Sequence, residues 1–118
     1  MCSSDLELST LDVNVLVQLV GDDESLIESF LSEYRKSAES AAQQIDLAYK
    51  GGQWKQVGEL AHSLKSSSRS VGALALGEIC AELESEGKNN NESQIHSAMA
   101  GFSQSLHEVM ESIGQRDS

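Results

Sequence analysis

Residues 53–72 read QWKQVGELAHSLKSSSRSVG, and this stretch decides the fold. Its apolar and small residues recur every three or four positions, a spacing that places them on one face of an α-helix. The spacing predicts a helix from about Gln53 to Ser70 that ends at Gly72. The face that it buries consists of Trp54, Val57, Leu60, Ala61, Leu64, Ser68 and Val71.

Apolar stripes before and after this stretch predict four more helices. A short first helix covers residues 11–20, and a long second helix of roughly 26 residues ends at Gly51-Gly52. A fourth helix covers residues 73–87, and the last one carries a stripe over residues 95–113 and frays from Gly114. The predicted inward side of the second helix begins with Leu26, Ile27, Phe30 and Leu31.

These helices predict an all-α fold, an antiparallel four-helix bundle with a short additional N-terminal helix. The 118 residues contain no proline and few aromatic side chains, so nothing in the composition forces a break or favours strands. The length suits one domain over residues 1–118. We expect short disordered ends at about 1–9 and 114–118.

The charge of the chain restricts the partners that it can bind. Its 19 acidic and 8 basic side chains give a net charge of -11, which opposes binding to nucleic acid or to an anionic membrane. The N-terminal segment lacks the pattern of a signal peptide, and no apolar run is long enough for membrane insertion. We therefore expect a cytoplasmic monomer that binds proteins. Cys2 and Cys80 have no metal-ligand spacing, and we expect no disulfide.

His62 is the residue that stands out chemically. At 100° per residue it points about 150° away from the centre of the apolar stripe, and therefore into solvent. Gly58 and Ser66, one turn on either side, are small and leave the imidazole accessible. Three of the eight basic residues lie within about 60° of it on the helix surface: Lys55, Lys65 and Arg69.

The segment HSLKSSSRSVGA, residues 62–73, resembles the signature of the histidine-containing phosphotransfer (HPt) domain family. In that signature a phosphorylated histidine is followed three residues later by lysine, and then by small residues and Gly-Ala. The five-helix layout is similar to this family across nearly the whole chain. The resemblance implies that His62 accepts a phosphoryl group, that Lys65 stabilises it, and that Gly72 and Ala73 are close-packing residues.

The resemblance also assigns supporting roles near His62. Glu84 matches a position where family members often have Glu or Gln bonded to the other ring nitrogen of the histidine. Its helical angle permits this contact, which would fix the imidazole tautomer, while an ordinary surface carboxylate is the alternative. By its helical angle, Arg69 would also add positive charge beside His62. Ser66 departs from the glycine that is common in the family, so its hydroxyl would either lie near the phosphoryl group or crowd a partner.

The partners implied by the resemblance are response-regulator receiver domains and a hybrid sensor kinase. His62 would take the phosphoryl group from one receiver aspartate and pass it to another, with Mg²⁺ supplied by the receiver and no cofactor in this chain. Such a carrier is not an enzyme, and the sequence has no Gly-rich loop for ATP. Candidate docking residues on the first helix are Leu11, Val15 and Leu16.

Three other functions compete with this one. The chain could be an HPt-like adaptor that binds receivers without phosphotransfer, or the phosphate-accepting domain of a chemotaxis-type kinase. Glu59 and His62 also have the Glu-x-x-His spacing of di-iron bundles, but His96 and His107 lack a glutamate three residues earlier, so we predict no metal site. Both of these histidines are expected on the surface, where His107 could pair with Glu111.

Overall fold

Five helices make up the regular structure of residues 11–117, the part of the chain that the computed structural model describes. The predicted all-α fold is confirmed, and most predicted helix ends are within two residues of the observed ones. The predicted disorder at residues 1–9, like Cys2, lies outside the described residues. The helices are α1 Val13–Val20, α2 Glu24–Lys50, α3 Trp54–Ser70, α4 Leu74–Lys88 and α5 Glu92–Asp117.

The last helix is longer than the sequence predicted. It continues through Gly114, where fraying was expected, to Asp117. A single glycine inside a helix costs only about 1 kcal/mol relative to alanine. Since Ile113 next to it is 1% exposed, its packing on the core keeps this part of the helix in place.

Aspartates begin the first two helices, and a glycine turn separates the second from the third. The Asp12 carboxylate accepts a hydrogen bond from the Asn14 amide at 3.1 Å, and the Asp23 carboxylate accepts one from the Ser25 amide at 2.9 Å. Both satisfy amide groups that the first turn of a helix leaves unpaired. Between α2 and α3, Gly52 has a φ of 71°, a left-handed conformation that glycine adopts without strain.

Gly72 holds the turn between α3 and α4 against the start of α1. Its φ is 87°, and its carbonyl accepts a hydrogen bond from the Asp12 amide at 2.8 Å. A Cβ atom on Gly72 would overlap the Asp12 backbone. The next residue, Ala73, is fully buried. Both residues therefore lie at a close-packed corner.

The core fills the space between the four long helices. The α3 residues Val57, Ala61 and Leu64 are buried as predicted, together with Leu16 from α1. The hydroxyl groups of Tyr34 and Ser68 satisfy each other in this core at 2.7 Å. Burial also raises the pKa of the Tyr34 hydroxyl and of the Cys80 thiol to about 12 each, so both stay protonated at neutral pH.

The most extensive helix contact, between α3 and α4, depends on two glycines. A Cβ atom on Gly87 would lie 2.6 Å from the Trp54 carbonyl oxygen and 2.8 Å from the Gly58 Cα atom. The backbones thus approach more closely than larger residues would allow. Gly58 is buried here, so the expectation that it leaves space in front of His62 is wrong. Its effect is to bring the C-terminal half of α4 beside α3.

Candidate functional site

His62 lies in the middle of α3 with its side chain in solvent. The side chain is 60% exposed, whereas Ala61 and Leu64 on the same helix are 0% and 2% exposed. The helical angles therefore predicted its direction correctly. An exposed histidine on a packed helix is accessible to a second protein, while its backbone is held by the core.

Glu84 on α4 contacts the imidazole from the side. Its Oε2 atom is 2.8 Å from His62 Nδ1, and its side chain is only 12% exposed. A carboxylate accepts hydrogen bonds, so in the neutral ring the proton lies on Nδ1 and the lone pair lies on Nε2. Nε2 is the ring nitrogen that is free for nucleophilic attack. The structure thus brings together the two residues that the family resemblance paired.

Lys65 contacts the same carboxylate and lies deeper than expected. Its Nζ atom is 2.6 Å from Glu84 Oε1, and its side chain is 20% exposed. The helical angle predicted a solvent-facing lysine, which is wrong because α4 covers this side of α3. The hydrogen bond from Lys65 is the main reason why the pKa of Glu84 falls to about 2; burial acts in the opposite direction, and the contacts with His62 and Lys88 lower the pKa further.

Lys88 completes the cluster and was missed in the sequence. Its Nζ atom is 3.3 Å from Glu84 Oε2, the same oxygen that contacts His62, and its side chain is 70% exposed. The predicted fourth helix ends at residue 87, just before Lys88, but Lys88 is the last residue of α4. The four-residue spacing from Glu84 was the available signal, since it favours an ion pair on a helix surface.

The other predicted members of the site lie further away or face other groups. Arg69 directs its guanidinium to Glu78, at 3.2 Å, and its aliphatic stem lies over Gly77. Ser66 is exposed one turn after His62, and its carbonyl accepts a hydrogen bond from the Ser70 hydroxyl at 3.1 Å. The lysines that share the Glu84 carboxylate with His62 are therefore Lys65 and Lys88.

The remaining histidines are separate from this cluster. His96 is exposed as predicted, and its Nδ1 atom is hydrogen-bonded to the Tyr49 hydroxyl. His107 is 69% exposed and pairs with Glu111 at 3.5 Å. Within residues 11–117, no three His, Cys, Asp or Glu side chains are grouped to hold a metal ion. None of the helices in that range is long and apolar enough to cross a membrane.

The exposed apolar side chains differ from the predicted docking residues. Leu16 is buried, and Leu11 and Val15 are only partly accessible. In contrast, Leu26 and Phe30 on α2 are 44% and 47% exposed, although the apolar pattern had placed both in the core. The stripe of α2 is wider than the surface that its neighbours cover, so residues at its edge face solvent.

Phe30 lies beside α3. It lines an open groove of about 350 Å³ together with Tyr34 and Val71, and Ser67 and Ser70 of α3 form part of the same groove. Ser67 is five residues after His62 on that helix. The groove therefore provides apolar surface on the α2 side of the helix that carries the exposed histidine.

Comparisons with known proteins agree with the fold and with the sequence motif. The profile of the Hpt domain family matches residues 25–115. The crystal structure of histidine-containing phosphotransfer protein B from Pseudomonas aeruginosa PAO1 is similar, with a TM-score of 0.84 and 22% identity over 93% of this chain and 96% of that chain. No curated protein sequence matches the chain. The profile match confirms the predicted family, and the structural match confirms the helical fold.

Proposed function

The chain belongs to the Hpt domain family, and from this premise we propose that it is a phosphorelay intermediate. In this proposal His62 accepts a phosphoryl group from the aspartate of one receiver domain and passes it to the aspartate of another. The observation that carries the proposal is the contact between Glu84 and His62 Nδ1, because it leaves Nε2 unprotonated on a side chain that is 60% exposed.

The chemistry of the transfer follows from this tautomer. The Nε2 lone pair attacks the phosphorus atom of the acyl phosphate, the bond between phosphorus and the aspartate oxygen breaks, and the aspartate leaves as a carboxylate. The ring keeps its proton on Nδ1 and gains a positive charge. Glu84 faces that charge at 2.8 Å and stabilises it, so the carboxylate favours both attack and the phosphorylated product. The return transfer reverses each step.

The proposal divides the work between two proteins. The receiver brings the aspartate and Mg²⁺, while this chain brings a histidine on a rigid helix and needs no cofactor of its own. Lys65 acts on the transfer through Glu84, since its ammonium group is 2.6 Å from that carboxylate. In this view Lys65 is a positioning residue for Glu84.

We infer that the receiver docks over His62 and the groove beside Phe30. A docked receiver needs about 800 Å² of surface on each partner, with an apolar centre and a polar rim. Phe30 and Leu26 offer apolar surface, and the small side chains Ser66 and Ser67 allow a partner helix to lie close to α3. This surface replaces the α1 residues that the sequence had favoured.

A relay experiment tests the function. The chain is mixed with a phosphorylated receiver that carries radiolabel, and then with a second, unlabelled receiver. We expect label to appear first on this chain and then on the second receiver. A panel of receivers from the same genome would identify the partners. Binding of receivers without any label on the chain would instead indicate an adaptor, and label obtained only from an ATP-dependent kinase would indicate a chemotaxis-type domain.

A further inference from the structure

Three donors contact the two oxygens of the Glu84 carboxylate. Oε1 accepts a hydrogen bond from Lys65 at 2.6 Å, and Oε2 accepts one from His62 Nδ1 at 2.8 Å. Lys88 Nζ is a third partner, 3.3 Å from Oε2. If Lys88 moved away, each oxygen would still keep one partner. If Lys65 moved away, Oε1 would lose the donor that the structure gives it.

The exposure of the two lysines also indicates that Lys88 can leave Glu84 more easily than Lys65 can. The Lys65 side chain is 20% exposed and lies between α3 and α4, whereas the Lys88 side chain is 70% exposed at the end of α4. An exposed ion pair between residues four apart on a helix contributes little to stability, because water screens it. Lys88 can therefore leave Glu84 at little cost, and Lys65 cannot.

We propose that Lys88 leaves Glu84 when His62 is phosphorylated and binds the phosphoryl oxygens, while Lys65 remains on Glu84. This inference rests on the proposed phosphorylation of His62. The family resemblance gave the phosphoryl-stabilising role to Lys65. We assign that role to Lys88 instead, a residue that the sequence did not indicate as part of the site.

Distance and charge both favour this exchange. Lys88 Nζ and His62 Nδ1 contact the same carboxylate oxygen, so the ammonium group is already next to the imidazole, on a side chain with four rotatable bonds. A phosphoryl group on Nε2 carries nearly two negative charges near pH 7. Meanwhile the ring becomes positive and strengthens its own hold on Glu84. Phosphorylation thus attracts Lys88 to the phosphoryl oxygens and weakens its attraction to the Glu84 carboxylate.

The second ionisation of the phosphoryl group reports this contact directly. His62 is phosphorylated with phosphoramidate, a small donor that needs no receiver, and the ³¹P chemical shift is followed against pH. A nearby ammonium group favours the dianion, so it lowers the second pKa of the phosphoryl group. In Lys88→Ala we expect this pKa to rise by on the order of half a unit. Lys88→Arg should restore the wild-type value.

Lys50→Ala is the matched control. Lys50 is also 70% exposed and pairs with the carboxylate four residues before it, Asp46, at 3.0 Å, but it lies at the end of α2. Its removal changes the net charge equally and should leave the phosphoryl pKa unchanged. Equal titrations of Lys88→Ala and Lys50→Ala would overturn the proposal. Because phosphoramidate replaces the receiver, this titration can be measured even if the chain does not relay phosphoryl groups between receivers. The proposed relay and the proposed contact of Lys88 with the phosphoryl group can therefore fail separately.

Discussion

Gly58 on α3 and Gly87 on α4 lie so close that a Cβ atom on Gly87 would be 2.8 Å from the Gly58 Cα atom. Gly87 is three residues after Glu84, and Gly58 is four residues before His62. The backbone contact therefore lies about one helical turn from the pair that forms the site. Its closeness allows a short carboxylate to reach an imidazole on the neighbouring helix.

Replacing Gly87 with alanine should damage both the fold and the site. The added methyl group meets backbone atoms of α3 that cannot rotate away, so the helices must separate, and we expect a loss of about 1–3 kcal/mol in the free energy of unfolding. Urea denaturation measures this loss, and the rate of phosphotransfer should fall with it. Gly101→Ala is the control, because its methyl group would be 3.7 Å from the Ile79 Cδ1 atom, an ordinary contact. Equal stabilities of the two variants would contradict this account.

Lys65 and Lys88 should differ in their effect on stability. Lys65 is half-buried against Glu84, so Lys65→Ala leaves that carboxylate without its main partner and should cost about 1–2 kcal/mol. Lys88→Ala removes an exposed pair and should cost less than about 0.5 kcal/mol. Thermal and urea unfolding of both variants measure these losses of stability. A Lys65→Ala protein as stable as Lys88→Ala would mean that the contact with Glu84 contributes little.

The low pKa of Glu84 makes stability depend on pH in a known direction. Its value is about 2 in the folded protein and 4.5 without the fold, so between these values the unfolded chain binds a proton that the folded one does not. The stabilisation is complete above about pH 4.5 and is lost as the pH falls towards 2. Glu84→Gln should therefore lose less stability than the wild type between pH 5 and pH 2.5, as measured by urea denaturation. Parallel curves for the two proteins would refute this assignment.

The docking surface predicts a contrast between two exposed residues of α2. Phe30 lines the groove beside α3, so Phe30→Ala should weaken receiver binding at least fivefold, an effect of about 1 kcal/mol. Leu47, which is 70% exposed, lies more than four turns further along the same helix and serves as the control. Titration of each variant with a receiver, followed by chemical shifts, measures the affinities. A larger loss for Leu47→Ala would place the receiver elsewhere.

Apart from the contact of Glu84 with His62, which the family resemblance implied, the part of the site that could be predicted from the sequence is the part that one helix determines. The exposure of His62 follows from the angle between it and the apolar stripe of its own helix. The depth of Lys65 does not, because α4 covers it and a helical angle carries no information about a neighbouring helix. Gly58 was assigned to the wrong function for the same reason.

Other differences between the prediction and the structure lie at the edge of an apolar stripe or at the end of a helix, where the sequence pattern is ambiguous. Phe30 and Leu26 belong to the apolar stripe of α2 by spacing, but the neighbouring helices cover only its centre. Lys88 precedes three asparagines, which favour a loop, and the helix nevertheless includes it. The fold was predictable because five apolar stripes agree with one another and glycines follow the first three helices, whereas the site depends on how two helices approach.

The central claim is that His62 itself carries the phosphoryl group. The most direct measurement compares His62→Gln with His107→Gln, which replaces a histidine of similar exposure that also pairs with a glutamate. Each variant is incubated with a labelled, phosphorylated receiver, and label on the chain is counted before and after acid treatment. We predict acid-labile label on the wild type and on His107→Gln, and none on His62→Gln. Undiminished label on His62→Gln would contradict the account.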